Sequence, residues 1–361
     1  MDFAFSEEQE FLRDTARQWL ADRSPSPVVR ELMGTDDGFD RSHWQETAEL
    51  GWQAMAIPEA YGGAGFGFLE LAVILEEMGR ALFGAPFLST VVLAANTILL
   101  AGSEDQKQRW LPAIAAGELV ATVALPDGAG PYGAGSATVT ASPDGGGWTL
   151  SGTVAHVLDG GAADLLIFPA SVDGGLGLFA VPGGSDGLAT EALDTIDPTR
   201  KLAAVSLDGV AAERLGDEAA DVLAEVHRIG SVALALEQVG GASHVLDVTV
   251  QYAKDREQFG RPIGSFQAIK HMCADMYVGV ESAKAAAYYA AWAVAESSDE
   301  VATVASLAKA YCSEAYFKAA GDSIQVFGGI GFTWEHDAHL YFKRAKSGEI
   351  LLGSPAEHRA V

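Results

Sequence analysis

Two stretches in the last third of the chain combine residue types able to grip a phosphate-bearing ligand. The first, YAKDREQFGRPIGSFQAIKHMCADM (Tyr252 to Met276), sets Arg256, Gln258 and Phe259 within one turn. A guanidinium can hold a pyrophosphate through two parallel hydrogen bonds, where a lysine acts only as a point charge. The same arginine, lying between Asp255 and Glu257, is equally well read as a surface residue in an ion pair with its neighbours. The second stretch, SIQVFGGIGFTWEHDAHLYFKRAK (Ser323 to Lys346), places Gln325 one turn before Gly328 and Gly329. Paired glycines let backbone N–H groups approach a ligand, and they also simply end helices. A third stretch, DGAGPYGAG, spaces Gly128, Gly130 and Gly133 as G-x-G-x-x-G. A dinucleotide loop of that kind must lead straight into a helix. Here Pro131 interrupts and the following GSATVTAS has the texture of a strand, so an ordinary glycine-rich loop is expected.

Three zones must position these residues. Up to about residue 122 the chain reads as helices. SEEQEFLRDTARQWL opens with Ser6 and Gln9 in capping-box spacing, then sets Phe11, Thr15 and Trp19 beside Leu12, Ala16 and Leu20 on adjoining faces. Residues 123–218 hold nearly half of the chain's 41 glycines, between short β-prone runs such as DLLIFPAS and GLGLFAVP. Helical periodicity returns from 219 onward, with Val226, Ile229, Ala233, Gly240 and His244 on one stripe and three more long segments behind them. The expected fold is α+β and multi-domain: an N-terminal α-helical domain (1–122), a middle antiparallel β domain (123–218) and a C-terminal four-helix bundle (219–361).

Composition removes several classes of function. The chain has 361 residues, with 23 basic against 49 acidic side chains and a formal charge of −26. Nucleic acid and anionic membrane both require a basic footprint, so neither is expected as a partner. Cys273 and Cys312 are too few for a disulfide framework, and His271 and Cys273 lack the company a metal site needs. The opening MDFAFSEEQE is acidic, unlike a signal peptide, and no apolar run approaches the roughly 18 residues of a membrane span. A cytoplasmic protein is expected.

Taken in this order, the Arg256 and Gly328 stretches, with GWQAMAIPEAYGGAGFGFLEL near the N-terminus and LSGTVAHVLDGGAADLL in the middle, resemble the acyl-CoA dehydrogenase family along nearly the whole chain. The resemblance implies FAD as cofactor, an acyl-CoA thioester as substrate, and an electron-transfer flavoprotein or similar acceptor. In that family a carboxylate removes the α-proton while the β-hydride passes to the flavin, and FAD lies across a subunit boundary. One subunit holds the ring and the thioester; its neighbour holds the ADP half. On the ADP side the resemblance carries over to Arg256, Gln258, Phe259, Gln325, Gly328 and Gly329, with Ile263 and Phe266 as apolar lining.

On the ring side it fails. The family's Thr-Glu-Pro-x-Ala-Gly-Ser segment corresponds to ALPDGAGPYG, and its Trp-Ile-Thr to His156, Val157 and Leu158. The family's base stands just before the glycine of the C-terminal helix, here Leu352, or early in the long helix, here about Gly230. Neither accepts a proton, and losing a positioned base costs roughly 10²- to 10⁴-fold. Glu237, two turns beyond Gly230 on nearly the same face, and Glu349, three residues before Leu352, are the acids left to consider as substitutes; a structural, hydrogen-bonded Glu237 is the competing reading. Lys343, Arg344 and Lys346 read as a solvated helix face that could also touch CoA phosphates. The pattern implies a subunit that supplies the ADP half of a flavin site to a paralogous, catalytically complete subunit in a heterotetramer, as in steroid side-chain breakdown. The alternatives are a self-sufficient homo-oligomer with Glu237 as base, and a flavin-free scaffold protein.

Overall fold

The computed structural model describes residues 5–126 and 136–361. The Gly128, Gly130, Pro131 and Gly133 loop lies outside the described residues. The chain forms two compact units that interleave in sequence: residues up to Arg30, Phe68–Phe83 and Ser231–Val361 in one, Glu31–Gly67 and Gly84–Gly230 in the other.

In the first unit, α1 (Glu7–Arg23) starts with the capping box that the sequence implied, Ser6 and Gln9 each accepting from the other's backbone N–H. Its Ala16 and Leu20 turn inward, whereas Phe11 stays 74% exposed. After α2 (Ser26–Leu32) comes α4 (Phe68–Arg80), then the long helices α7 (Ala219–Asp255), α8 (Gln267–Ala295), α9 (Val301–Phe327) and α10 (Ala338–Ile350), closed by the single turn α11 (Pro355–His358). Two glycines set the meeting of α4 with α7. A Cβ on Gly79 would lie 1.9 Å from the Glu237 carbonyl oxygen, and one on Gly240 1.8 Å from that of Glu76. The two backbones therefore touch, which only glycine permits.

Close approach draws charged side chains into the core. Glu76 is 4% exposed and accepts from Lys284 Nζ at 2.7 Å and from Tyr288 Oη, both on α8. Glu77 takes a two-pronged bond from Arg17 of α1, at 2.6 and 2.9 Å. On α7, His244 stacks on Tyr341 with ring centroids 4.6 Å apart and planes at 13°. Burial, helped by the nearby Arg80 charge and opposed by Asp247 and Asp337, lowers its pKa from 6.5 to about 4. The unfolded chain therefore binds a proton that the folded chain refuses. Stability from this neutral imidazole is whole above pH 6.5 and falls as pH drops toward 4, by up to about 3 kcal/mol. Urea melts at pH 7 and pH 4.5 should show that loss in the wild type and a much flatter response in His244→Phe; equal slopes would remove the assignment.

In the second unit, α3 (Arg41–Glu49), α5 (Ala95–Ala101) and α6 (Glu104–Ala115) accompany a sheet of seven strands: β1 (Ala121–Val123), β2 (Val139–Asp144), β3 (Gly147–Leu158), β4 (Leu165–Val172), β5 (Gly175–Pro182), β6 (Leu188–Ala192) and β7 (Leu202–Leu215). β4 pairs with both β2 and β5, so the ring β4-β2-β3-β7-β5 closes on itself and leaves no edge within it. Leu150, Phe168, Phe179, Val205 and Val210 fill its core. Most pairings are antiparallel, as expected for the β domain. β1–β4 and β2–β4 are parallel, a departure from the all-antiparallel expectation. Parallel pairs arise between strands far apart in sequence, so no hairpin turn announces them.

Candidate functional site

α7 runs out at Asp255, and the backbone N–H of Arg256 still donates to the Tyr252 carbonyl at 2.8 Å. The chain then makes a minimal hairpin, β8 (Glu257–Gln258) against β9 (Arg261–Pro262), in register Gln258↔Arg261. Its two-residue turn is Phe259-Gly260, with φ of +56° and +76°. Two positive φ values suit the twist of a tight hairpin, and glycine meets them without strain. A phenylalanine does so at a cost of roughly 1–2 kcal/mol. That strained ring is also 92% exposed, touching Phe266 only edge-on at 6.0 Å. Strain and exposure thus coincide at one apolar residue.

Ile263 N donates to the Arg256 carbonyl at 2.7 Å, which closes the turn before Phe266 leads into α8. Arg261 lies over the Phe266 ring at 4.1 Å and braces this entry. The Gln258 amide reaches only the neighbouring Glu257 carbonyl. Among the described residues the Arg256 side chain makes no hydrogen bond, ion pair or ring contact, although acids flank it on both sides. The ion-pair reading of Arg256 therefore does not hold: an exposed guanidinium is left with its five donors available.

α9 delivers the second group to the same end of the bundle. Tyr252 packs on Phe327 with centroids 4.5 Å apart, and Thr249 Oγ1 bonds Ser323 Oγ at 2.7 Å, so α7 and α9 finish side by side. Gln325 is exposed in the last turn of α9. Gly328 adopts φ +66°, ψ −139°, open in practice to glycine alone. Neither φ nor packing demands glycine at Gly329, where an added Cβ would meet nothing within 4 Å. The missing side chains therefore leave bare backbone facing outward. Arg256, Gln258, Phe259, Ile263, Phe266, Gln325, Gly328 and Gly329 all sit at this end, which offers a planar cation, two amides, an aromatic ring and the exposed backbone of two glycines. That donor set suits a pyrophosphate and an adenine, the ADP half of a dinucleotide.

The positions where a base would stand are built differently. Leu352 is 8% exposed and left-handed at φ +59°. Its carbonyl accepts from His358 at 2.7 Å, while the buried Lys309 donates to the carbonyls of Glu349 and Gly353 at 3.2 and 3.0 Å. The turn is held from three sides and presents an alkane. Glu349 is tied to Lys346 at 3.1 Å. Glu237 pairs with Arg344 at 3.1 Å. This corrects the solvated-face reading of Arg344, which is 6% exposed and turned inward. On the other unit, His156 is exposed, whereas Val157 and Leu158 are buried in the barrel wall and show nothing to a ligand. A cavity of about 270 Å³ lies beside them, lined by Leu125, Pro126, Ser136, Thr138, Val154 and His156 among others. Thr138 Oγ1 is already spent on the Thr153 carbonyl. The described residues thus fit the ADP half of FAD and offer little to its ring.

Lys309 and the Glu76–Lys284–Tyr288 group escaped the sequence reading. Each charged residue sits in an ordinary helical run, and apart from the local Lys309–Ser313 bond the hydrogen-bond partners lie at least 40 positions away. No group of three or more metal-ligating side chains occurs among the described residues. Burial raises both thiols, Cys312 to about 12, which leaves them unreactive. No helix of the described residues is long and apolar enough to cross a membrane.

Comparison with known proteins shows the family. Residues 6–118 match the model of the acyl-CoA dehydrogenase N-terminal domain, and residues 220–361 that of the C-terminal domain. The chain is 36% identical over 355 residues to acyl-CoA dehydrogenase IpdE2 of Mycobacterium tuberculosis, covering 97% of this chain and 95% of the relative. Among solved structures, the ChsE4-ChsE5 complex from Mycobacterium tuberculosis matches with TM-score 0.91 and 32% identity over 100% of this chain and 97% of that one. The Tcur3481-Tcur3483 steroid ACAD matches with TM-score 0.89 and 34% identity over 98% and 96%. The chain belongs to the acyl-CoA dehydrogenase family, whose members are FAD-dependent flavoproteins.

Proposed function

We propose that this chain is the nucleotide-holding subunit of a two-chain acyl-CoA dehydrogenase. The observation that carries the reading is the contrast between an unpaired Arg256 beside open glycines at one end of the bundle and a buried Leu352 where a base would stand. Arg256 grips the pyrophosphate of the partner's FAD. Gln258 and Gln325 add neutral donors, and Phe259 covers the adenine and keeps water from the ion pair. Bound FAD supplies the electron acceptor for oxidation across the Cα–Cβ bond of an acyl-CoA, with electrons passing on to an electron-transfer flavoprotein or similar carrier. The proton is taken by the paralogous partner, since neither Leu352 nor the buried Gly230 can accept one. Two of the matched structures carry two chain names, and one carries the word steroid; on that likeness the substrate class proposed here is a bulky polycyclic acyl-CoA.

The test is co-expression with a paralogous subunit that has an intact base. The chain alone should purify nearly colourless and inactive, and the pair should hold FAD and turn over acyl-CoA. Glu237→Gln in the pair should leave kcat within about twofold, because Glu237 is bound to Arg344 and takes no proton in this scheme. A yellow, active preparation of the single chain that Glu237→Gln inactivates would favour the self-sufficient homo-oligomer. No flavin in either preparation would favour a scaffold.

A further inference from the structure

A second cavity, of about 250 Å³, opens in the first unit between α1, the start of α2, the end of α4, α7 and α10. It lies outside the set of residues assigned above to FAD. One wall is apolar, made by Leu20, Ala21, Val29, Leu82 and Leu340. The charges around it already have partners: Arg17 with Glu77, Arg80 with Asp247, and Arg30 with Asp337. Two of the three lining hydroxyls are spent as well, Ser26 being the exception. Ser24 donates to the Ala81 carbonyl at 3.3 Å and Tyr341 to the Arg80 carbonyl at 2.8 Å.

Two lining groups break this pattern, the half-buried Ser26 hydroxyl and, deeper in the wall, His244. His244 is half-buried and fixed in plane by its stack on Tyr341. Neither of its ring nitrogens makes a hydrogen bond among the described residues. A neutral imidazole carries one donor and one acceptor, and leaving both unmade beside an apolar wall is unfavourable. The cavity thus presents an unpartnered imidazole, with the Ser26 hydroxyl also unpartnered on its lining, in a chamber whose other polar groups are balanced.

Those features select a ligand. An ion entering would have to break an existing ion pair, whereas a neutral molecule has only to satisfy His244, or His244 and Ser26. An apolar cavity of about 150 Å³ is known to hold benzene, so about 250 Å³ admits one substituted ring or a small bicycle. We propose that this cavity is a binding site for a small, uncharged hydroxyl-bearing hydrophobe, its apolar body against Leu20, Val29 and Leu340 and its hydroxyl on His244.

The probe is p-cresol, titrated by calorimetry into the full chain, with toluene and benzoate as controls of similar size. p-Cresol should bind saturably, one per chain, with a Kd on the order of 1 mM or tighter. Toluene, without the hydroxyl, should bind at least fivefold more weakly, and benzoate no better than toluene. His244→Phe keeps the stacking and removes the nitrogens. It should weaken p-cresol five- to tenfold and leave toluene unchanged. Ala21→Trp, at an exposed position on the wall, should block both. Arg256→Ala should alter neither, which separates this site from the FAD reading. Absence of saturable p-cresol binding would mean the cavity holds water only and would overturn the proposal. So would a preference for benzoate, or p-cresol affinity unchanged in His244→Phe. Should His244→Phe fail to fold, Ala21→Trp decides: undiminished binding there would equally overturn it.

Discussion

Arg256→Ala, introduced into the co-expressed pair, is expected to weaken FAD retention about 10- to 100-fold while leaving the fold of this chain untouched. The magnitude follows from the bonds lost. A guanidinium on a pyrophosphate makes two charge-assisted hydrogen bonds, each contributing roughly 1.5–3 kcal/mol when water is excluded. The lower end applies because Arg256 lies at the surface of this chain, and the proposed pair is what would desolvate it. The fold should survive because the side chain makes no contact within the described residues whose loss could be felt. Flavin absorbance after desalting measures the effect, and excess FAD in the assay should restore turnover. Arg256→Lys should recover only part of the loss, since an ammonium keeps the charge but not the paired geometry. Unchanged flavin content in Arg256→Ala would remove the ADP-holding role from this end of the bundle.

Glu76→Ala has the largest effect expected on stability, a loss of about 3–5 kcal/mol. Glu76 is 4% exposed and receives both Lys284 Nζ and Tyr288 Oη. Removing the carboxylate takes the shared acceptor from a half-buried ammonium and a half-buried phenol and leaves a hole in the core where Glu76 stood. Burial and the Glu76 charge already hold the Tyr288 hydroxyl far above its ordinary range, so it cannot ionise to compensate. Glu76→Gln keeps the volume and one acceptor and should cost less than half as much. Urea denaturation of the single chain at pH 7 measures both; a loss below about 1 kcal/mol in Glu76→Ala would show that water or a shifted Lys284 takes over the role.

How much of this was legible beforehand depended on how local each feature is. The capping box at Ser6 and Gln9, the inward stripe of α7 and the change of texture across 123–218 all depend on neighbours a few residues apart, and each appears in the structure in its expected form. The placement of the Arg256 and Gly328 stretches at one end also follows from order alone: three successive antiparallel helices return the chain to the same side. The freedom of Arg256 was another matter. Asp255 and Glu257 made an ion pair the simplest expectation, and among the described residues the guanidinium pairs with neither. Arg344 failed in the opposite sense, because a run of Lys343, Arg344 and Lys346 looks solvated until Glu237 is seen to face it. His244 was read correctly as part of an inward stripe, but nothing in the run around it foretold a chamber beside its ring.

From the sequence alone came the helical and β-rich zones, the family likeness, the residues suited to a pyrophosphate and the absence of a carboxylate at position 352. Each of these depends on residue identity or on spacing within one or two turns of backbone. Only the tertiary structure decided that α4 and α7 touch backbone to backbone through Gly79 and Gly240, which buries Glu76 and Glu77 and forces them to find Lys284, Tyr288 and Arg17. It also decided that Lys309 and His358 clamp the turn around Leu352, and that Arg256 has no partner among the described residues. The reason is energetic. A buried charge or polar group must be satisfied wherever the fold brings a partner, and that partner's place in the sequence carries no mark of the pairing.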